Sequence, residues 1–238
     1  MSITEALLRP LLSASAARPL ITHYDDAVGS RIELSVATLA NWAAKTANWL
    51  TDEFDIEPGE AICVRLPAHW QTAGVLLGAW WCGGHVVQSP KGARVAFVGP
   101  DGVDEATGAE AVAVVALDAL GRGLAAPAEG GALDYLSEAR MSGDEYRPIL
   151  PIPGDTPALA SSTVDEVLAE AARRAVELGI GAGDRVLSIR DWTVPDGVLD
   201  ALVAPLSAGA SIVQVTGGAV DQLADRRATE RTTVDLPG

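Results

Sequence analysis

Three hydroxyl side chains in a row, Ser161, Ser162 and Thr163, open a helical pattern and form one of the few places where this sequence could handle a phosphate. The first turn of a helix offers an anion unpaired N–H groups and the positive end of the helix dipole. The same stretch can also satisfy itself. Thr163-x-x-Glu166 is a capping box, in which the two side chains bond each other's backbone N–H. Asp165 and Glu166 add two negative charges to the first turn, which suit the dipole and repel a phosphate. The spacing predicts a capped helix. Ser89-Pro-Lys-Gly92 reads as a turn. His23, His69 and His85 are scattered, without Cys or carboxylate at metal-ligand spacing. No G-x-S-x-G elbow and no G-x-G-x-x-G after a strand occurs, and Gly121-Arg-Gly123 is an isolated loop pair.

A second cluster follows an apolar run at Val186–Ile189: Arg190, Asp191, Trp192 and Asp196. If that run is a parallel strand, these residues sit at its carboxyl end, where α/β sheets place ligands. Core packing is the reading for Trp80 and Trp81. Trp192 reads as core or as a ligand-lining side chain.

Composition narrows the function classes. The net charge is −15, which argues against nucleic acid and against an anionic membrane surface. Two Lys occur, Lys45 and Lys91, and none follows. Cys63 and Cys82 sit in apolar segments with no C-x-x-C spacing, as buried free thiols in a reducing cytosol would. No apolar run approaches a membrane span and no N-terminal signal is visible, so the expected location is cytoplasmic. A chain of 238 residues buries a large core without disulfides or metal.

The elements that must position these residues follow from periodicity. Helices are expected over 2–16, 35–53, 68–82, 162–178 and 195–208, with a short one near 132–140. Strands are expected at 20–24, 31–34, 61–66, 85–88, 94–98, 111–116, 186–189 and 211–215. The last twenty residues are polar and read as a solvated tail. An internal repeat runs through the pattern. Ile56-Glu-Pro-Gly-Glu-Ala-Ile62 matches Ile180-Gly-Ala-Gly-Asp-Arg-Val186, 124 residues on. Gly83-Gly-His-Val-Val-Gln88 matches Gly209-Ala-Ser-Ile-Val-Gln214, 126 residues on. Each half reads helix, strand, helix, strand, which is the grammar of parallel sheets with crossover helices.

The helix Glu33–Leu50, the segment Ile56-Glu-Pro-Gly-Glu-Ala-Ile-Cys-Val-Arg-Leu-Pro67 and Ala79-Trp-Trp-Cys-Gly-Gly-His-Val86 resemble, in order, the "TYAEL…RLA..L", "G(V/I)xPGDxVAxxLP" and "AxxxxGAVxVP" stretches of adenylate-forming acyl-CoA synthetases. Gly183–Ser188 and Gly197–Val213 resemble the "DxxLxxxPLxHxxGLxxxLLxPLLxGAxVVL" stretch of the same superfamily. The likeness covers about 20–90 and 155–215, all within the N-terminal domain of those enzymes, and extends to short actinobacterial synthetase-like proteins. The resemblance implies an acyl pocket near Trp192, Val194, Asp196 and Gly197, with Val194 where the family carries a pocket histidine. It also implies that 161–163 is what remains of a Ser/Thr/Gly-rich phosphate loop ending in Pro-Lys-Gly. Here that loop has no Gly from 155 to 178 and no Lys. The aromatic-Gly-x-Thr-Glu segment, the Thr-Gly-Asp segment and the lid with its catalytic Lys are absent.

The expectation is therefore an α/β protein of two similar βα units, with mainly parallel sheets and helices on both faces. Its divisions are 1–118, a connecting surface segment 119–156, a second unit 157–226 and a polar tail 227–238. Functionally it is expected to be a catalytically degenerate, synthetase-like protein without catalytic residues, metal or cofactor. It would bind an acyl group, a small carboxylate or a protein partner, as a homodimer on account of apolar surface left by the missing half. The alternatives are one half of a split AMP-forming ligase, an unusual ATP-dependent acyl-activating enzyme, or an assembly protein without a small ligand.

Overall fold

The structure, a computed structural model, describes residues 1–218 and 222–238. Ser2 caps the first helix, α1 (Ile3–Ser15), through a capping box with Glu5. A hairpin of β1 (Pro19–Asp25) and β2 (Ser30–Ser35) leads into α2 (Val36–Phe54), whose N-cap is Ser35. Then come β3 (Ala61–Arg65), α3 (Trp70–Trp81), β4 (His85–Val87), β5 (Val95–Val98) and β6 (Ala111–Val114). After a long connection follow β7 (Leu133–Asp134), α4 (Tyr135–Ala139), β8 (Pro157–Leu159), β9 (Ser162–Thr163) and α5 (Val164–Glu177). The chain closes with β10 (Arg185–Ser188), α6 (Asp196–Val198), a π-helical stretch Leu199–Val203, α7 (Ala204–Ala208), β11 (Ser211–Thr216), α8 (Leu223–Glu230) and β12 (Val234–Leu236).

Two mainly parallel sheets result, ordered β12-β10-β11-β1-β2 and β7-β6-β5-β3-β4-β8-β9. The largest core cluster joins α1, α2, α3 and the 198–206 helix with the inner sides of both sheets, so a helical layer lies between them. The outer side of the seven-stranded sheet buries Cys63, Ala96, Val98 and Val114. On the other sheet Tyr24, Leu187, Val213 and Val215 form a separate cluster with Leu223 of α8.

The repeat is built almost bond for bond. Gly59 and Gly183 both take positive φ, 91° and 85°, where a side chain would be strained. Their N–H groups donate to Gly83 O and Gly209 O, at 2.9 and 3.3 Å. Glu60 and Asp184 each close their turn by accepting from the backbone three residues back. In both halves the first strand pairs parallel with the second, Ala61 with His85 and Arg185 with Ser211. The third strand, β5 or β12, returns to the other side of the first.

Several sequence expectations need correction. The sheets do not follow the division into units 1–118 and 157–226: β1 and β2 join the sheet of β10 and β11, and β8 and β9 join that of β3 and β4. Short parallel strands gain neighbours wherever backbone edges match, and sequence distance does not restrict that. Residues 219–221 of the second unit lie outside the described residues. Within 119–156, β7 extends a sheet, and Tyr135 and Leu136 are fully buried, so this segment is partly core. The polar tail is also structured. β12 pairs with β10, Val186 with Val234 through Ser188 with Leu236. Its preceding helix is polar because ion pairs hold it: Glu230 bonds Arg31 Nε at 2.9 Å, Tyr24 Oη at 2.5 Å and the Arg185 guanidinium.

Candidate functional site

The loops that follow the first strand of each repeat meet. Val64 and Arg65 at the end of β3 with Leu66 and Pro67 just after it, and Asp191-Trp192-Thr193-Val194 after β10, line one cavity of about 510 Å³, with Gln88 just past β4. The site lies at the carboxyl ends of parallel strands, where α/β sheets bind ligands, and at the seam between the repeats. Its size falls in the small-molecule range. Val64, Leu66, Trp192 and Val194 are buried and make the wall apolar. Arg65 is the one basic lining residue, and its partner is an exposed carboxylate, Glu105, at 2.6 Å. Such a surface pair is weak and can be exchanged for a ligand's carboxylate.

The 190–194 loop is tied from both repeats. Gln88 Nε2 donates to Val194 O at 2.5 Å. Its repeat counterpart Gln214, buried, donates Nε2 to Arg190 O at 3.1 Å and accepts Trp192 Nε1–H at 3.2 Å. The Trp192 ring is thereby fixed by its nitrogen. Arg190 is committed elsewhere: its guanidinium bonds Asp200 at 2.6 Å and Pro237 O at 2.8 Å. Asp200, in the π-helical stretch, also holds Arg174 at 2.9 Å.

The residues singled out in the sequence divide accordingly. Trp192 and Val194 line the cavity. Asp196 does not; it pairs with Arg174 at 2.6 Å on the helix side. Gly197 does not line it either, and its Cα packs on the Asp191 backbone so closely that a Cβ would stand 2.1 Å from that carbonyl oxygen. Ser161 is exposed in a turn, Ser162 lies in β9, and Thr163 Oγ1 accepts the Glu166 N–H while Glu166 accepts that of Thr163 at 2.9 Å. All three stand outside the cavity lining. The Thr163 hydroxyl is spent on its own helix.

Sequence reasoning gave no role in the site to Arg65, Gln88 or Gln214. The signal was present for the glutamines, since the repeat aligns them. It also read the histidines as scattered, yet His23 on β1 and His69 at the N-cap of α3 meet edge to face at 4.5 Å. Burial drives His23 down to about 4 despite Asp25 and an Ala68 backbone bond. Burial, with His23 beside it, drives His69 down to about 3. His85 is separate, within 2.6 Å of Ala160 O. Cys63, pushed up to about 11 by burial, donates its thiol to Gln88 O and is a packing residue. Among the described residues no group of three metal-ligating side chains converges, and no helix is long and apolar enough to cross a membrane.

No family model matches the sequence. A protein of Mycobacterium tuberculosis (strain ATCC 25618 / H37Rv), described as a TIGR03089 family protein, is 43% identical over 242 residues, taking in 98% of this chain and 97% of that one. Among solved structures, an acyl-CoA synthetase of Brucella canis matches with a TM-score of 0.80 at 18% identity, over 100% of this chain and 47% of its own. The acetoacetyl-CoA synthetase of Streptomyces lividans matches at 0.77 and 19%, over 100% and 42%. A benzoate CoA ligase of Burkholderia xenovorans LB400 matches at 0.74 and 18%, over 99% and 50%. The chain spans about half the length of these solved proteins, and the likeness is one of fold: the two-sheet architecture is that of the N-terminal part of acyl-CoA and aryl-CoA ligases.

Proposed function

The chain belongs to the TIGR03089 family, and we propose that it binds a small carboxylate or acyl compound in the cavity between its two repeats without forming an adenylate. The observation that carries this reading is the cavity's chemistry. An apolar wall of Val64, Leu66, Trp192 and Val194 faces a single cation, Arg65, whose present partner is an exposed carboxylate. A ligand with an apolar body and one carboxylate matches both features. Against adenylate formation stand the capped helix at Thr163 and the two acids in its first turn. Cations that offset charge on a transferring phosphoryl group supply much of such catalysis.

The test is a thermal-shift panel of the pure protein with short aliphatic and aromatic carboxylates, ATP, AMP and coenzyme A. A ligand at 100 times its dissociation constant stabilises by about 2.7 kcal/mol. At this size that raises the melting temperature by roughly 5–10 °C. A shift with a carboxylate that Arg65→Ala abolishes supports the reading. A shift with ATP or AMP overturns it and points to an acyl-activating enzyme. Adenylation only after mixing with a second chain would instead favour the split ligase, which the half-length fold match makes the second reading.

A further inference from the structure

Beside the cavity just described, and sharing Pro67 and Asp191 with it, a smaller one of about 270 Å³ opens at the carboxyl end of β11. Val215, Thr216, Gly217, Gly218, Ile189 and Leu223 complete its lining. Thr216 is the last residue of β11, and its hydroxyl lies 2.9 Å from His23 Nε2. The sheet register creates this pair. His23 on β1 stands opposite Gln214, and the side chain two residues further along β11, on the same face, is that of Thr216. His23 is 2% exposed, so the imidazole sits behind the threonine, which alone of the two lines the cavity.

We propose that Thr216 and His23 form a nucleophile–base pair for acyl transfer, acting on small activated esters or thioesters that enter this cavity. A hydroxyl is a weak nucleophile until an adjacent base takes its proton, and a third group must hold that base in the right tautomer. Asp25 and the Ala68 backbone stand close enough to the His23 ring to favour its charged form, against the burial that disfavours it. A neutral imidazole has one N–H; the mechanism uses the tautomer that carries it on Nδ1, in which Nε2 keeps the lone pair that Thr216 needs. Tyr24 O also lies within reach of the hydroxyl, at 3.2 Å, which is longer than the 2.9 Å to the ring nitrogen. His23 is held neutral at ordinary pH by burial, with a value of about 4.

The chemistry balances without a cofactor. Thr216 Oγ bonds the acyl carbon as its proton passes to His23 Nε2. The bond from the acyl carbon to the alcohol or thiol breaks, and the leaving group takes that proton. Water then attacks the acyl-threonine, gives a proton to His23 and releases the carboxylic acid, while His23 returns the proton to Thr216 Oγ. The net reaction is ester plus water to acid plus alcohol. Nucleotide is not involved, so this activity stands apart from carboxylate binding at Arg65.

The experiment is hydrolysis of p-nitrophenyl acetate by the whole protein, with mass spectrometry of the tryptic peptide Asp191–Arg226. Wild type is expected to release p-nitrophenol above buffer and to carry one acetyl group on Thr216. T216A and H23Q should each lose at least about tenfold in rate, since general-base assistance typically contributes 10²–10⁴. T216S, which keeps the hydroxyl and guards against a folding defect, should retain activity and the adduct at position 216. A T216A protein that melts like wild type and hydrolyses as fast overturns the proposal. So does an acetyl group on any other residue, or a wild-type rate no higher than buffer.

Discussion

Gln88 and Gln214 occupy the same place in the two repeats and close on the same loop: the first donates to Val194 O at 2.5 Å, the second to Arg190 O at 3.1 Å. They differ in burial, since Gln88 is exposed whereas Gln214 is buried and also accepts the Trp192 N–H. That difference sets their weight. Gln214→Leu leaves Trp192 Nε1 and Arg190 O short of a partner away from water, at a cost of about 1–3 kcal/mol. Gln88→Ala lets water replace the lost bond and should cost no more than about 1 kcal/mol. Urea denaturation of the two variants checks the order, and equal losses would contradict it.

The buried histidines make stability depend on pH. Folding lowers His23 from 6.5 to about 4, so the unfolded chain binds more protons in that window. Stability contributed by the neutral ring is complete above about pH 6.5 and declines as pH falls towards 4. For His23 alone the loss by pH 4 is on the order of 3 kcal/mol. His69, at about 3, extends the decline downward. Urea midpoints at pH 7, 6 and 5 should fall steadily in wild type and less steeply in H23Q.

The limits of sequence reading are visible in these two pairs. The repeat was legible because turn glycines and apolar strand runs recur at nearly constant spacing, and Gln88 and Gln214 came with it. The His23–His69 contact was not, because it depends on how the two sheets face each other across the helical layer, which no local period records. Trp192 and Val194 were placed near a pocket by resemblance and by the strand end. Arg65, the last residue of β3, carried no signal until the carboxyl ends of β3 and β10, from two different sheets, met at one cavity. The last residues misled for a different reason: polarity usually marks solvent, and α8 is held by charge pairing rather than by an apolar stripe.

That charge pairing gives a third prediction. Burial alone would raise the Glu230 carboxyl, yet hydrogen bonds from Arg31, Tyr24 and Arg185 hold it down to about 2. The side chain is only 6% exposed, and it is the one buried residue of α8. Glu230→Ala takes from Arg185 its closest carboxylate, leaving it Glu33 at 3.6 Å, and should cost about 1.5–3 kcal/mol, the range for a hydrogen bond to a charged group. Amide exchange in α8 and β12 should rise before that of β3 or β5, because this segment has little apolar surface to keep it in place. Uniform acceleration across both sheets would mean that Glu230 supports the whole fold instead.

Thr163 separates a helix cap from a phosphate site. Its Oγ1 accepts the Glu166 N–H and its own N–H bonds the Glu166 carboxylate, which completes the first turn of α5. Removing the hydroxyl in Thr163→Ala should cost about 0.5–2 kcal/mol, the usual range for an N-cap. Thr163→Ser keeps the oxygen and should recover most of it. Neither change should alter the melting response to ATP or to inorganic phosphate, since Asp165 and Glu166 already occupy the positive end of the helix. A phosphate-dependent stabilisation present in wild type and lost in Thr163→Ala would restore the loop as an anion site, and would do so on the hydroxyl that the capping box now claims.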